Sequence, residues 1–343
     1  MQYKNHLIKI AFVMVLLSGC SDQKTADPSD ISLDGLDSVE REEVNFMMPT
    51  RIVSDGEDAY LADSSSGLIY RFDLDKKQAE VNCNDPTCGH TDETCSAYTE
   101  AGINSVRREG DQIYAYGTYH IYKIGKNEKE EVAEGNYGEA YEKVIFGDYI
   151  AYPKDGDIIV ENFREGEEVQ RFEDIVPYTQ GNFYYGGALW YITEDLDLVR
   201  LDIKSGEAST IEETGVTRAC VYKGAVYYIQ VDQQSSAGEN TLVRYTHEDQ
   251  NKTPVAENVF YYNFKNDSIY YITWPERDFC CCGFNGNNAK VLIEKANPIV
   301  WSFPEYDNLL ISFSDYYTYY IYDIETNMVD YDHPFKMEQV MGQ

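Results

Sequence analysis

Cys83, Cys88, His90 and Cys95 fall within 13 residues in the pattern C-x4-C-x-H-x4-C. Three thiols and one imidazole form the donor set of a closed, tetrahedral zinc site, where Cys and His ligands come in fours. Pro86 and Gly89 supply bends that let so short a segment wrap an ion. The spacing is not that of a standard zinc finger. Outside the cytoplasm a disulfide among Cys83, Cys88 and Cys95 competes for the same thiols. A structural Zn²⁺ and a covalent staple are therefore both open, and either would order a loop. A catalytic metal is not expected, because four protein ligands leave no position for water.

The other reactive residue types have simpler readings. Cys280-Cys281-Cys282 falls in an expected strand, so Cys280 and Cys282 share one face and Cys281 takes the other, as small buried residues rather than a vicinal disulfide. Vicinal cysteines are similar to those of quinone-dependent propeller dehydrogenases. With only Trp190, Trp274 and Trp301, however, the tryptophan-rich pattern of those enzymes is absent. Of the histidines, His6 lies in the leader and His90 in the Cys cluster, which leaves His120, His247 and His333. None of these sits in a catalytic motif. Asp195, Asp197 and Asp202 do not match a calcium-binding loop and read as turn acids. No phosphate loop, dinucleotide fingerprint or serine elbow is present, and no catalytic residue is assigned.

The elements that must position these residues are short strands. Apolar residues followed by aromatics recur at Ala59, Ile113, Ile150, Leu189, Val226, Ile269 and Leu309, at spacings of 54, 37, 39, 37, 43 and 40. A period near 40 is that of a four-stranded propeller blade. Runs such as Val226-Tyr-Tyr-Ile229 are apolar at consecutive positions, as in a sheet covered on both faces. The expected fold is all-β, a seven-bladed β-propeller of four-stranded antiparallel blades. The long spacing of 54 marks an insertion, 82–101, after the first blade. Third strands pair an apolar residue with a base (Tyr70-Arg71, Tyr122-Lys123, Val199-Arg200, Val243-Arg244), read as half-exposed edges. In a meander, turns after even-numbered strands share one rim. That places loops 82–101, 232–240 and 274–278 together, and makes Trp274, Glu276, Arg277, Gln233 and Gln234 the candidate binding rim.

The first 19 residues carry Lys4 and Lys9 ahead of the apolar run Ile10 to Leu17, too short to span a bilayer comfortably. Leu17-Ser-Gly-Cys20 resembles a bacterial lipobox, which implies a signal peptide over 1–19 and lipid on Cys20. Residues 20–45, rich in Ser, Asp and Glu, read as a flexible acidic tether to a propeller domain over 46–343. A formal net charge of −32 excludes nucleic acid as a partner through repulsion.

Together, the lipobox, the tyrosine-rich repeats and the motif continuing through Ala97 and Tyr98 resemble propeller lipoproteins of anaerobic, mainly clostridial, bacteria. That family is largely of unknown function. The resemblance implies a fold and an address on the extracytoplasmic face of the cell membrane, but no reaction. The expected function is a non-catalytic binding or scaffold module for a protein or glycan ligand. The alternative is a propeller enzyme acting on extracellular glycans as a lyase or glycosidase.

Overall fold

The computed structural model describes residues 52–336 apart from 64–65, 100–104, 110–111, 118, 138–142, 176, 178–181, 232–239, 297–298, 303–308 and 313–317. Cys20, the signal and the tether lie outside the described residues. So do Gln233 and Gln234.

The described strands form seven antiparallel sheets of four strands each, every sheet built from consecutive strands. Sheet one is β1 (Ile52–Ser54), β2 (Asp58–Asp63), β3 (Leu68–Asp73) and β4 (Gln78–Val81). Sheet two is β5 (Ser105–Glu109), β6 (Gln112–Tyr116), β7 (His120–Gly125) and β8 (Glu128–Glu134). Sheet three is β9 (Val144–Phe146), β10 (Tyr149–Lys154), β11 (Asp157–Asn162) and β12 (Glu167–Phe172). Sheet four is β13 (Phe183–Tyr185), β14 (Ala188–Ile192), β15 (Leu198–Asp202) and β16 (Ala208–Glu212). Sheet five is β17 (Val216–Tyr222), β18 (Ala225–Val231), β19 (Asn240–Thr246) and β20 (Asn251–Glu257). Sheet six is β21 (Val259–Lys265), β22 (Ser268–Thr273), β23 (Phe279–Gly283) and β24 (Lys290–Ile293). Sheet seven is β25 (Ile299–Ser302), β26 (Leu309–Ser312), β27 (Thr318–Asp323) and β28 (Met328–Lys336).

Turn chemistry sets the hairpins. Gly186 and Gly187 both take positive φ (58° and 71°), as a two-residue turn compatible with strand twist requires. The Asn285-Gly286 segment departs from that pattern. It is expected to turn Phe279–Phe284 directly into Ala289–Glu294, yet β23 stops at Gly283 and β24 starts at Lys290. Gly283 N donates instead to Asn287 O (2.8 Å), which widens the loop.

Packing runs between sheets. Each apolar cluster joins one sheet to the next: Tyr60 and Ile69 meet Ile113 and Tyr122, Phe146 meets Tyr184, and Trp190 meets Tyr228. The last seam closes the circle. Phe72 of sheet one packs edge-on against Tyr319 (5.3 Å) and Phe335 (5.4 Å) of sheet seven, and Lys77 forms an ion pair with Asp330. The fold is an all-β propeller of four-stranded antiparallel blades. Among the described strands no sheet mixes the two ends of the chain, and the first and last sheets meet through side chains. Tyrosines suit these seams because the ring is buried while the hydroxyl reaches an acceptor at an edge, as Tyr228 does to Glu212 (2.8 Å) and Tyr152 to Glu161 (2.8 Å).

First strands of neighbouring sheets run beside one another (β1 and β5, β13 and β17, β21 and β25), so they are innermost. Fourth strands are outermost and polar. β8 reads Glu-Lys-Glu-Glu-Val-Ala-Glu, and charge on an exposed edge guards against pairing with another chain.

Register irregularities follow position. Between third and fourth strands, every sheet except the first shows a register shift. Between first and second strands, shifts among the described residues occur only in sheets five and six, at Arg218 and Phe260.

Candidate functional site

The Cys/His insertion occupies the place where the other sheets have their outer bulge. β4 pairs with β3 as far as Val81 opposite Tyr70, and the chain then leaves the sheet. It returns with Ala97 O accepting from Ile69 N (2.8 Å) and Tyr98 bridging Leu68. A bulge of one residue has become a loop of fifteen, 82–96. Two short turns shape it, as Asp85 Oδ1 accepts from Thr87 N (2.8 Å) and Asp92 Oδ1 from Thr94 N (3.0 Å).

The loop is anchored laterally, against sheet two. The buried Asn82 donates through Nδ2 to Gly125 O (2.9 Å) and accepts at Oδ1 from Asn127 N (2.8 Å), both in the β7–β8 turn. Lys129 Nζ donates to Tyr98 O and to Glu93 O (3.3 Å). An open polar groove of about 680 Å³ lies between this loop and the hairpin, lined by Glu93, Lys123 and Lys129 among others.

Within the loop the donor atoms of Cys83, Cys88, His90 and Cys95 all lie within 4.8 Å of one another. His90 Nδ1 is 3.3 Å from Cys95 Sγ. A tetrahedron with metal–sulfur and metal–nitrogen bonds of about 2.0–2.3 Å has edges of roughly 3.3–3.8 Å. The four side chains therefore fit a metal such as zinc with a small contraction. Backbone N–H groups already point at the sulfurs, His90 N at Cys88 Sγ (3.4 Å) and Ala97 N at Cys95 Sγ (3.4 Å), as a thiolate ligand needs. At Cys83, burial raises the thiol pKa but is outweighed by the Asp85 N–H and the neighbouring thiols, so it sits below its usual value. Burial pushes Cys95 up to about 11. All three cysteines are free thiols.

The remaining cysteines are packing residues. Cys280 and Cys282 join the seam between sheets five and six, and Cys281 joins the seam between six and seven, so the strand does alternate faces. Burial lifts Cys282 and Cys220 to about 12 each, which leaves both as inert thiols. Asp202 Oδ1 accepts from Ser205 N (2.9 Å), the turn role expected of it, whereas Asp197 Oδ1 accepts from Thr214 N (2.7 Å), in the loop that follows β16. Arg71 departs from the half-exposed reading. It is buried, with Nη1 on Asp58 (2.8 Å) and Nη2 on Glu80. The sequence marks a base beside Tyr70 but not that its carboxylates lie thirteen residues before and nine after it.

The rim residues divide. Trp274, Glu276 and Arg277 are exposed and lie together in a turn closed by Arg277 N to Thr273 O (3.1 Å) and Asp278 N to Thr273 Oγ1 (3.1 Å). This turn belongs to sheet six. The Cys/His loop meets sheet two instead, so the structure does not bring these two candidate loops together. Trp274 stands 5.8 Å from Phe260, Arg277 lies 5.0 Å over the Trp274 ring, and Arg218 lies 5.1 Å over Phe260. Phe260 and Arg218 escaped the sequence reading. Their one signal is an exposed aromatic and a base at the start of two first strands that are otherwise apolar.

His120, His247 and His333 lie in or beside β7, β19 and β28, on three different sheets, beside Glu131, Trp190 and Asp330 respectively. They form no common site.

No known family profile matches the sequence, and no curated protein matches it. Solved structures do. An oligogalacturonate lyase in complex with manganese superposes with a TM-score of 0.52 at 10% identity, over 78% of this chain and 86% of that one. The extracellular domain of a hybrid two component system from B. thetaiotaomicron superposes with a TM-score of 0.54 at 10% identity, over 84% of this chain but 43% of that one. The likeness is one of fold. At such identities the mixture of a lyase and an extracellular domain assigns no activity to this chain.

Proposed function

We propose that this chain is a lipid-anchored extracytoplasmic protein, a binding or scaffold module that offers one loop-rich rim to a protein or glycan ligand. Cys20 carries the lipid, and residues 20–45 hold the domain off the membrane. Acyl chains at about 0.8 kcal/mol per buried CH₂ make two or more of them a stable anchor. Each of the seven sheets is one blade. Cys83, Cys88, His90 and Cys95 hold a structural Zn²⁺ that keeps the insertion against sheet two; when bound, it contributes folding energy rather than chemistry. The observation that carries the binding role is the Phe260–Trp274 pair, 43% and 39% exposed and in contact, where the described aromatics other than Tyr119 and Tyr331 are mostly buried between blades. Exposed aromatics flanked by arginine are the composition of binding hot spots.

A glycan-degrading propeller enzyme is the second reading, and the fold likeness to a lyase favours it. It needs acid and base groups converging on one place, which the dispersed His120, His247 and His333 do not supply.

The test has two parts. Full-length protein from its host is expected to partition into detergent and to carry acyl groups on Cys20, and a Cys20→Ala variant to be released. Binding of the purified protein to its host's own envelope material is expected to drop about tenfold with Trp274→Ala plus Arg277→Ala. Binding unmoved by the double variant rejects the rim, and turnover of envelope glycan in the same assay replaces the module with the enzyme.

A further inference from the structure

We propose that Arg218 is the floor of a carboxylate-binding site opening onto the Phe260–Trp274 shelf, and that its ligand is an acidic sugar, a uronate unit of an extracellular glycan. This deepens the binding-module reading and rests on it.

The bulges are the first observation. Among the described residues only sheets five and six break register between first and second strands, and they are adjacent. The residue extruded from one, Arg218, faces the residue extruded from the other, Phe260, across their seam. Bulges of this kind re-aim side chains and cluster beside functional sites. The Arg218 backbone takes φ +57°, and Tyr262 Oη lies within bonding distance of Arg218 O (3.2 Å) and Tyr227 O (2.7 Å), so the strained segment is braced.

The guanidinium is the second. Arg218 Nη1 is buried and has no hydrogen-bond partner, and no carboxylate among the described residues pairs with Arg218. A buried charged donor without an acceptor is costly, and on a chain with 60 acidic residues a partner is not scarce. Arg71 and Arg171 each hold two carboxylates. Burial pulls the Arg218 pKa down, with the Tyr261 and Tyr262 phenols opposing, yet the group stays cationic.

The surface in front of it selects the ligand. From Arg218 the order is cation, Phe260, Trp274, cation at Arg277, with the two rings tilted at 38°. Two aromatic faces suit the flat C–H face of a sugar ring, and a planar carboxylate matches the guanidinium fork. A phosphate carries up to two charges and meets more repulsion from a chain of net −32 than a carboxylate with one.

The experiment is calorimetric titration of the full-length chain in detergent with trigalacturonate, its methyl ester and N-acetylphenylalanine. Trigalacturonate is expected to bind. Binding should weaken about tenfold or more on esterification, with Arg218→Lys, which keeps the charge but not the fork, and with Trp274→Ala. N-acetylphenylalanine is expected not to displace it. Absence of trigalacturonate binding, or equal binding of the ester, overturns the site. Displacement by N-acetylphenylalanine overturns the sugar and assigns a peptide-like carboxylate. Arg218→Met is expected to leave the melting temperature unchanged or raised; a fall of several degrees makes the guanidinium structural and ends the proposal. If trigalacturonate fails while envelope material still binds through Trp274 and Arg277, the module stands and the Arg218 site is lost.

Discussion

Arg71 in sheet one and Arg218 in sheet five are both arginines drawn into the body of a propeller, and their surroundings differ in one respect. Arg71 meets Asp58 and Glu80, and Lys126 of the next sheet adds a second cation 3.4 Å from Asp58. Its Nε alone lacks a partner. Arg218 meets two aromatic faces and, among the described residues, no acid. The same contrast holds for the segments nearby. The outer bulge of sheet one has grown into a loop that turns its donors inward on itself, whereas the inner bulges of sheets five and six turn Arg218 and Phe260 toward each other beside an exposed shelf. A departure from the repeat that satisfies its own polar groups builds structure. One that leaves a polar group waiting points to a ligand.

The contrast breaks first at Arg71. Replacing it by Met leaves the buried Asp58 carboxylate to Lys126 alone, and denaturant unfolding is expected to show a loss of about 2–3 kcal/mol. Equal losses from Arg71→Met and Arg218→Met would erase the distinction between the two sites.

Metal removal is the next largest effect. Elemental analysis is expected to give one zinc per chain, and a strong chelator or Cys88→Ser to raise hydrogen exchange over 83–99 while leaving 216–231 protected. A Cys–Cys crosslink in place of zinc would turn the clip into a disulfide, and exchange spreading to sheet five would show that the loop is not a local device. Asn82→Ala sharpens the same side: it removes both hydrogen bonds to the β7–β8 turn and leaves Gly125 O and Asn127 N without them, at an expected cost of about 2 kcal/mol. A cost below about 0.5 kcal/mol would mean that the insertion is not seated through Asn82.

The smallest effect tests the seam where the ring closes. Bonding to Lys77, opposed by burial and helped by His333, holds the Asp330 carboxyl at about 2. A depressed carboxyl stabilises the fold above its unfolded value, near 3.9, and that contribution fades as pH falls toward about 2. Wild type and Asp330→Asn should therefore differ by no more than about 1 kcal/mol at pH 7 and converge by pH 2, because the pair is partly exposed. A difference that persists at pH 2 would place the effect in packing instead.

Inner and middle strands were legible because both of their faces are buried, so they read as unbroken apolar runs such as Val226 to Ile229. Most outer strands were not. β8, β12 and β16 present mostly charged or polar residues to water and carry no apolar signal, and they were identified only by what they pair with. The Cys/His set was legible because all four donors lie in one loop, where spacing alone limits their separation. Arg218 and Phe260 are 42 positions apart, and a bulge is a matter of pairing rather than of composition.

Local chemistry thus determined, from sequence alone, the repeat, the β class and the candidate metal donors, since each depends on neighbours within about 40 positions. Tertiary structure alone decided that the insertion leans on sheet two, that Arg71 is paired and Arg218 is not, and that Phe260 stands beside Trp274. Those facts depend on which strands face across a seam, and a residue's charge or hydrophobicity does not encode what lies on the other side.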